Sequence, residues 1–147
     1  MRVRRFPPAA VLAALLTALG PGCQGPRPYP VSGRVVYDDG ETASDLVGAA
    51  VIFTSDELRV SASGEIDRLG RFTLTMQRKD DGAWPGRYKV VIVPAVDFGV
   101  DDPRHKARKS HLPAAYTDPG TTDLSATVEA KSNDVTLTLT RTKTGRR

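Results

Sequence analysis

Beyond its first two dozen residues the chain repeats with a period of two, not 3.6. Val31–Tyr37 (VSGRVVY) places Val31, Gly33, Val35 and Tyr37 on one face, and Asp38, Asp39 and Gly40 close it with turn chemistry. Ala49–Thr54 is a second strand, with Val51 and Phe53 turned the same way, and Val60–Ile66 a weaker third. Asp67–Gly70 reads as a turn, with Gly70 suited to positive φ. Arg71–Met76 sets Phe72, Leu74 and Met76 inward against Arg71, Thr73 and Thr75 outward, and Asp80, Asp81 and Gly82 mark the next turn. Arg87–Val93 is the most apolar segment. Tyr88, Val90 and Ile92 share one face and Val91 and Val93 the other, which predicts a central strand covered on both sides. Leu124–Lys131 and Asp134–Thr140 complete the set as an expected hairpin around Ser132 and Asn133. In the last strand Val135, Leu137 and Leu139 alternate with Thr136, Thr138 and Thr140. Seven short strands separated by turns predict an all-β sandwich.

The start of the chain follows another rule. Met1–Arg5 is basic, and Ala9–Leu19 is apolar throughout except for Thr17. Eleven residues are too few to cross about 30 Å of hydrocarbon as a helix, which needs about 20. Residues 1–22 therefore read as a secretory signal peptide. Cys23 is the only cysteine, which excludes an internal disulfide, and Gly22 precedes it. This resembles the bacterial lipobox, in which small residues precede a cysteine that is diacylated and becomes the new N-terminus. Cys23 is thus the candidate lipidation site. The other reading is ordinary cleavage beside Gly20 and Gly22, leaving Cys23 unmodified. Two acyl chains, at about 0.8 kcal/mol per buried methylene, would hold the protein firmly on a membrane. Gln24 follows where inner-membrane lipoproteins commonly carry Asp, which points to outer-membrane sorting or the periplasmic face. Residues 23–29, rich in Pro, form an extended tether; 30–141 is the folded domain and 142–147 a basic tail.

Pro94–Gly120 breaks the alternation. It is long and polar, it holds the basic run His105–His111, and Leu112–Tyr116 within it reads as a short strand or helical turn. Loops over about 12–15 residues are often functional. It is the candidate interaction surface, with a solvated crossover between sheets as the plain alternative.

Charge narrows the partners. The net charge is +4. Setting aside Arg2, Arg4 and Arg5 takes the 21 basic residues to 18 against 17 acidic ones, a net +1. The basic excess thus sits mainly in the leader, and Asp97, Asp101 and Asp102 interleave the basic loop. No nucleic acid is expected.

Four segments in order carry a resemblance: Val31-Ser32-Gly33-Arg34-Val35, Val47-Gly48-Ala49-Ala50-Val51, Asp67-Arg68-Leu69-Gly70-Arg71-Phe72 and Pro85-Gly86-Arg87-Tyr88-Lys89-Val90. Together they resemble the carboxypeptidase regulatory-like (transthyretin-like) domain as found in small bacterial lipoproteins. The resemblance covers about residues 31–140 and implies a seven-stranded Greek-key β-sandwich of prealbumin-like type. Within such a domain the glycines serve close approach and tight turns.

Catalytic signatures are sparse. The transthyretin-like hydroxyisourate hydrolases rely on conserved His and Arg and a C-terminal Tyr-Arg-Gly-Ser, whereas this chain ends Thr144-Gly145-Arg146-Arg147. His105 and His111 lie six apart with no carboxylate between them, unlike zinc-peptidase spacing. No GxSxG is present. Asp38, Asp39 and Glu41 lack Ca²⁺-loop spacing and read as a solvated turn. Trp84 reads as a rim or core anchor. Neither metal nor cofactor is expected. The expectation is a non-enzymatic cell-envelope lipoprotein. It would meet the membrane through its N-terminal lipid, and an envelope protein or surface polymer through strand edges or the 94–120 loop. The alternative is a small extracytoplasmic hydrolase with its site in that loop.

Overall fold

The computed structural model describes residues 27–95 and 112–141. The expected leader, Cys23, residues 96–111 with both histidines, and the basic tail 142–147 lie outside the described residues. Seven strands follow in order: β1 (Val31–Tyr37), β2 (Ala50–Ser55), β3 (Val60–Glu65), β4 (Arg71–Thr73), β5 (Gly86–Val93), β6 (Ser125–Val128) and β7 (Asn133–Leu139). Single 3-10 turns occupy Ser44–Leu46 and Ala114–Thr117, the second placing a helical turn over the end of the Leu112–Tyr116 segment.

The strands form two sheets packed on one another, β4-β1-β7 and β3-β2-β5-β6. β1 and β7 run parallel, from Val31 opposite Asn133 to Tyr37 opposite Leu139, and every other strand pair is antiparallel. β4 ends at Thr73, short of the expected Met76. The cause is a change of partner. Leu74 N still donates to Val31 O, but Thr75 exchanges two backbone hydrogen bonds with Ser63, at 3.0 and 2.7 Å. The chain leaves one sheet and stitches it to the other. The Asp81 carboxylate then draws in the N–H groups of Met76, Gln77 and Arg78, ending extended structure there.

The expected β6–β7 hairpin does not form. β6 pairs with β5 in one sheet and β7 with β1 in the other. Asn133 makes this corner self-sufficient. Its side-chain oxygen accepts from Glu129 N at 2.9 Å, and its Nδ2 donates to Glu129 O at 3.1 Å and Lys131 O at 2.6 Å. Corner groups that a hairpin ladder would bond are met by one buried amide. Asn133→Ala leaves these groups short of partners and is expected to destabilise the fold by about 2 kcal/mol, read from the urea midpoint. An unchanged midpoint would show that water replaces the amide.

The core lies between the sheets. Val31, Val35, Tyr37, Phe72, Leu74, Leu137 and Leu139 face Val51, Phe53, Tyr88, Val90 and Ile92, all buried. Phe53 bridges the layers, its ring 6.0 Å from both Phe72 and Tyr88. β5 is central in its sheet, as expected, but its outer face is covered only in part: Val91 is buried and Val93 is 37% exposed. Gly33 sits where strands crowd. A β-carbon there would run into the Val135 carbonyl and lie 2.6 Å from Phe72 Cζ. Gly70 holds φ +69° in the β3–β4 turn, the left-handed conformation expected of it.

The sandwich has two distinct ends. At the proximal end the chain enters: Tyr29 exchanges backbone bonds with Ala83, and Pro30 O accepts from Asn133 N. The distal end carries the β1–β2 connection, the β3–β4 turn and the end of β5, since Ala50 lies opposite both Glu65 and Val93.

Candidate functional site

An open groove of about 1120 Å³ runs along the β3/β4 side. Its shape follows from the β3–β4 turn. Asp67 accepts from Leu69 N and Arg71 N, both at 2.8 Å, and from Arg71 Nε at 3.1 Å. The Arg71 backbone N–H above all, with help from Leu69 N–H and the Arg71 guanidinium, holds this carboxyl below its usual range. The turn is thereby fixed, and Leu69 stands out at its tip. Arg34, Thr42, Glu65, Leu69, Arg71 and Thr73 are among the lining residues. Arg34 and Arg71 lie directly opposite across β1 and β4, an unfavourable placement for like charges. Asp67 offsets Arg71. Arg34 is exposed and makes no ion pair among the described residues. The groove offers guanidinium, hydroxyl and carboxylate groups on an open surface, an arrangement suited to holding a polar partner.

Among the described residues the exposed large hydrophobic side chains gather at the distal end. Leu69 is 60% exposed, Val47 and Val93 each 37%. A β-carbon at Gly48, next to Val47, would lie 3.5 Å from Ala95 Cβ, and the Gly48 N–H donates to Ile66 O, so three segments meet there. Scattered singly, such residues would carry no meaning. Their shared end, beside the groove, makes it the candidate contact surface.

A third feature was not foreseen from the sequence. Tyr37 is buried, and its hydroxyl donates to both oxygens of Asp45 at 2.8 and 2.7 Å. Arg141 lies 4.1 Å over the Tyr37 ring and pairs with Asp39 at 3.3 Å and Glu41 at 2.8 Å. The expected solvated turn at Asp38–Glu41 is thus tied to the end of β7. The only advance signal was the acidic content of that turn, because Arg141 lies 100 residues further on. Burial first, then the Asp45 hydrogen bond and charge, push the Tyr37 hydroxyl well above its usual value. The folded state therefore holds this proton more tightly than the unfolded chain. The stability it contributes is full below about pH 10 and is lost as pH rises toward the folded value. Stability against urea is expected to fall from about pH 10 to pH 11, and Tyr37→Phe to flatten that slope. An equal slope in both proteins would place the alkaline sensitivity elsewhere.

Trp84 is half-buried, with its indole N–H enclosed and without a partner among the described residues, while its carbonyl accepts from the Tyr88 hydroxyl at 2.8 Å. It stands two residues before the start of β5. Tyr116 is buried, and its hydroxyl accepts from Thr140 N at 3.0 Å. Cys23, His105 and His111 lie outside the described residues. Among the described residues no group of three or more His, Cys, Asp or Glu is placed to hold a metal, and no helix is long and apolar enough to cross a membrane. No family model, curated protein or solved structure matches the chain.

Proposed function

We propose that the protein is a non-enzymatic lipoprotein of the cell envelope, anchored through Cys23. In this reading residues 30–141 form a prealbumin-like Greek-key sandwich of the carboxypeptidase regulatory-like type, acting as a binding or structural module. One observation carries it: the described chain enters at one end of the sandwich, and the exposed large apolar side chains among the described residues stand at the other. A tether at Cys23 would turn Val47, Leu69 and Val93 away from the membrane, toward an envelope protein or surface polymer.

The four ordered motifs support the domain type, because each stands where its residues are needed. Gly33 admits a close strand approach, and Gly48, at φ +81°, turns the chain just before β2. Asp67 and Gly70 build the turn that delivers Phe72 to the core, and Tyr88 follows the start of β5.

Mass spectrometry of the membrane fraction is expected to show a mature chain beginning at diacylated Cys23. A photo-cross-linking residue at position 69 is expected to capture an envelope component in cells. The same residue at position 132, at the proximal end, should capture it much less. A soluble chain with unmodified Cys23, or equal capture from both positions, would overturn the proposal.

A further inference from the structure

We propose that the outer edge of β7 is a docking strand for an extended segment of a partner protein. The inference rests on reading the sandwich as a binding module. It names the surface and the chemistry of the partner.

The ladder sets the argument. Asn133 N donates to Pro30 O, and Leu139 O accepts from Asp38 N, both at 2.9 Å. The odd-numbered residues of β7 therefore turn their backbone groups toward β1. Backbone direction alternates along a strand, so Asp134, Thr136 and Thr138 direct N–H and C=O to the opposite side. No group among the described residues pairs with them there. The row stops at Thr140, whose N–H is taken by the Tyr116 hydroxyl.

The other edges are closed or short. β3 and β4 are stitched at Ser63 and Thr75, and Arg71 O accepts from Asp67 N. β6 has four residues and runs into Glu129, whose N–H and C=O are both held by Asn133. Edges are commonly protected by Lys, Pro or a bulge. β7 has none of these, and its outward side chains after Asp134 are the exposed Thr136 and Thr138.

The neighbours define what fits. On the core side an added strand would lie beside half-buried Val135 and buried Leu137, which favours Val or Ile at alternate positions. On the outer side it would meet Thr136 and Thr138, which favours Thr or Ser. Asp134, exposed at the start of β7, calls for Lys or Arg near the C-terminal end of an antiparallel partner. A second copy laid antiparallel about Thr136 would place Asp134 against Thr138 and leave both carboxylates unmatched. Charge therefore favours a different protein.

The test uses the full chain in detergent and a labelled probe peptide, acetyl-Thr-Val-Thr-Val-Thr-Val-Lys-amide. Saturable binding is expected, with amide exchange at Thr136 and Thr138 slowed at least tenfold. The same peptide N-methylated at every second residue, on its bonding side, should bind at least tenfold more weakly. This comparison leaves the protein unaltered. Thr136→Pro removes one outward N–H and no bond to β1, and should weaken binding at least tenfold. Absent binding, equal binding of the methylated probe, or unslowed exchange at Thr136 and Thr138 would overturn the inference. So would slowing of those amides by self-association without probe, which would make a second copy the occupant. If these fail while position 69 still captures its envelope component, the module reading stands and the β7 assignment falls.

Discussion

Gly33→Ala is expected to lower the unfolding free energy by about 3 kcal/mol, at the upper end of overpacking costs. A typical domain of this size holds only about 5–15 kcal/mol in total. The reason is geometric. β1 is the middle strand of its sheet, and the new methyl group would meet the Val135 carbonyl on one side and the Phe72 ring on the other. A side chain could turn aside, but a backbone carbonyl inside a parallel ladder cannot move without disturbing its neighbours. Urea unfolding should show a lower midpoint with an unchanged slope. Adding Phe72→Leu should not rescue the variant, because the carbonyl contact remains. A Gly33→Ala protein as stable as the parent would show that β1 and β7 are not so close.

Phe53→Ala is expected to cost about 3–5 kcal/mol, the usual range for a fully buried aromatic residue. Phe53 belongs to the four-stranded sheet, but its ring meets Phe72 of the opposite sheet as well as Tyr88 of its own. Its removal opens a cavity where the two layers join. Phe53→Leu keeps most of the volume and should lose less than half as much. If the two variants lost equal stability, ring geometry rather than filled space would be holding the sheets. Thermal unfolding by circular dichroism would order the variants independently of urea.

These two positions also show where sequence reasoning holds. The alternation that marked Val51 and Phe53, Phe72 and Leu74, Tyr88, Val90 and Ile92 as inward is a local property. Each strand needs only its own residues to declare a buried face. Pairing is different. Val135, Leu137 and Leu139 face the core equally well whether β7 follows β6 in a hairpin or lies beside β1, so the pattern carried no information about the partner. The amide of Asn133 and the parallel register with β1 decided it. β4 shows the same limit: the alternation continues to Met76, while the bonds of Thr75 and the carboxylate of Asp81 end the strand earlier.

The candidate surfaces divide similarly. The turn at Asp67–Gly70 was legible, because aspartate and glycine at that spacing act locally through hydrogen bonds and positive φ. That Leu69, Val47 and Val93 share one end was not, since they come from two connections and the end of β5. The lock between Tyr37, Asp45 and Arg141 joins residues up to 104 positions apart and exists only once β7 lies against β1. By itself, then, the amino-acid sequence determined seven short strands, their inward faces and several of their turns, because those depend on side-chain period and local backbone preference. The tertiary structure alone decided which strands are neighbours and, among the described residues, which edge has no partner strand and which end gathers the exposed apolar side chains. Such relations arise only when distant segments compete for the same hydrogen-bonding and packing partners.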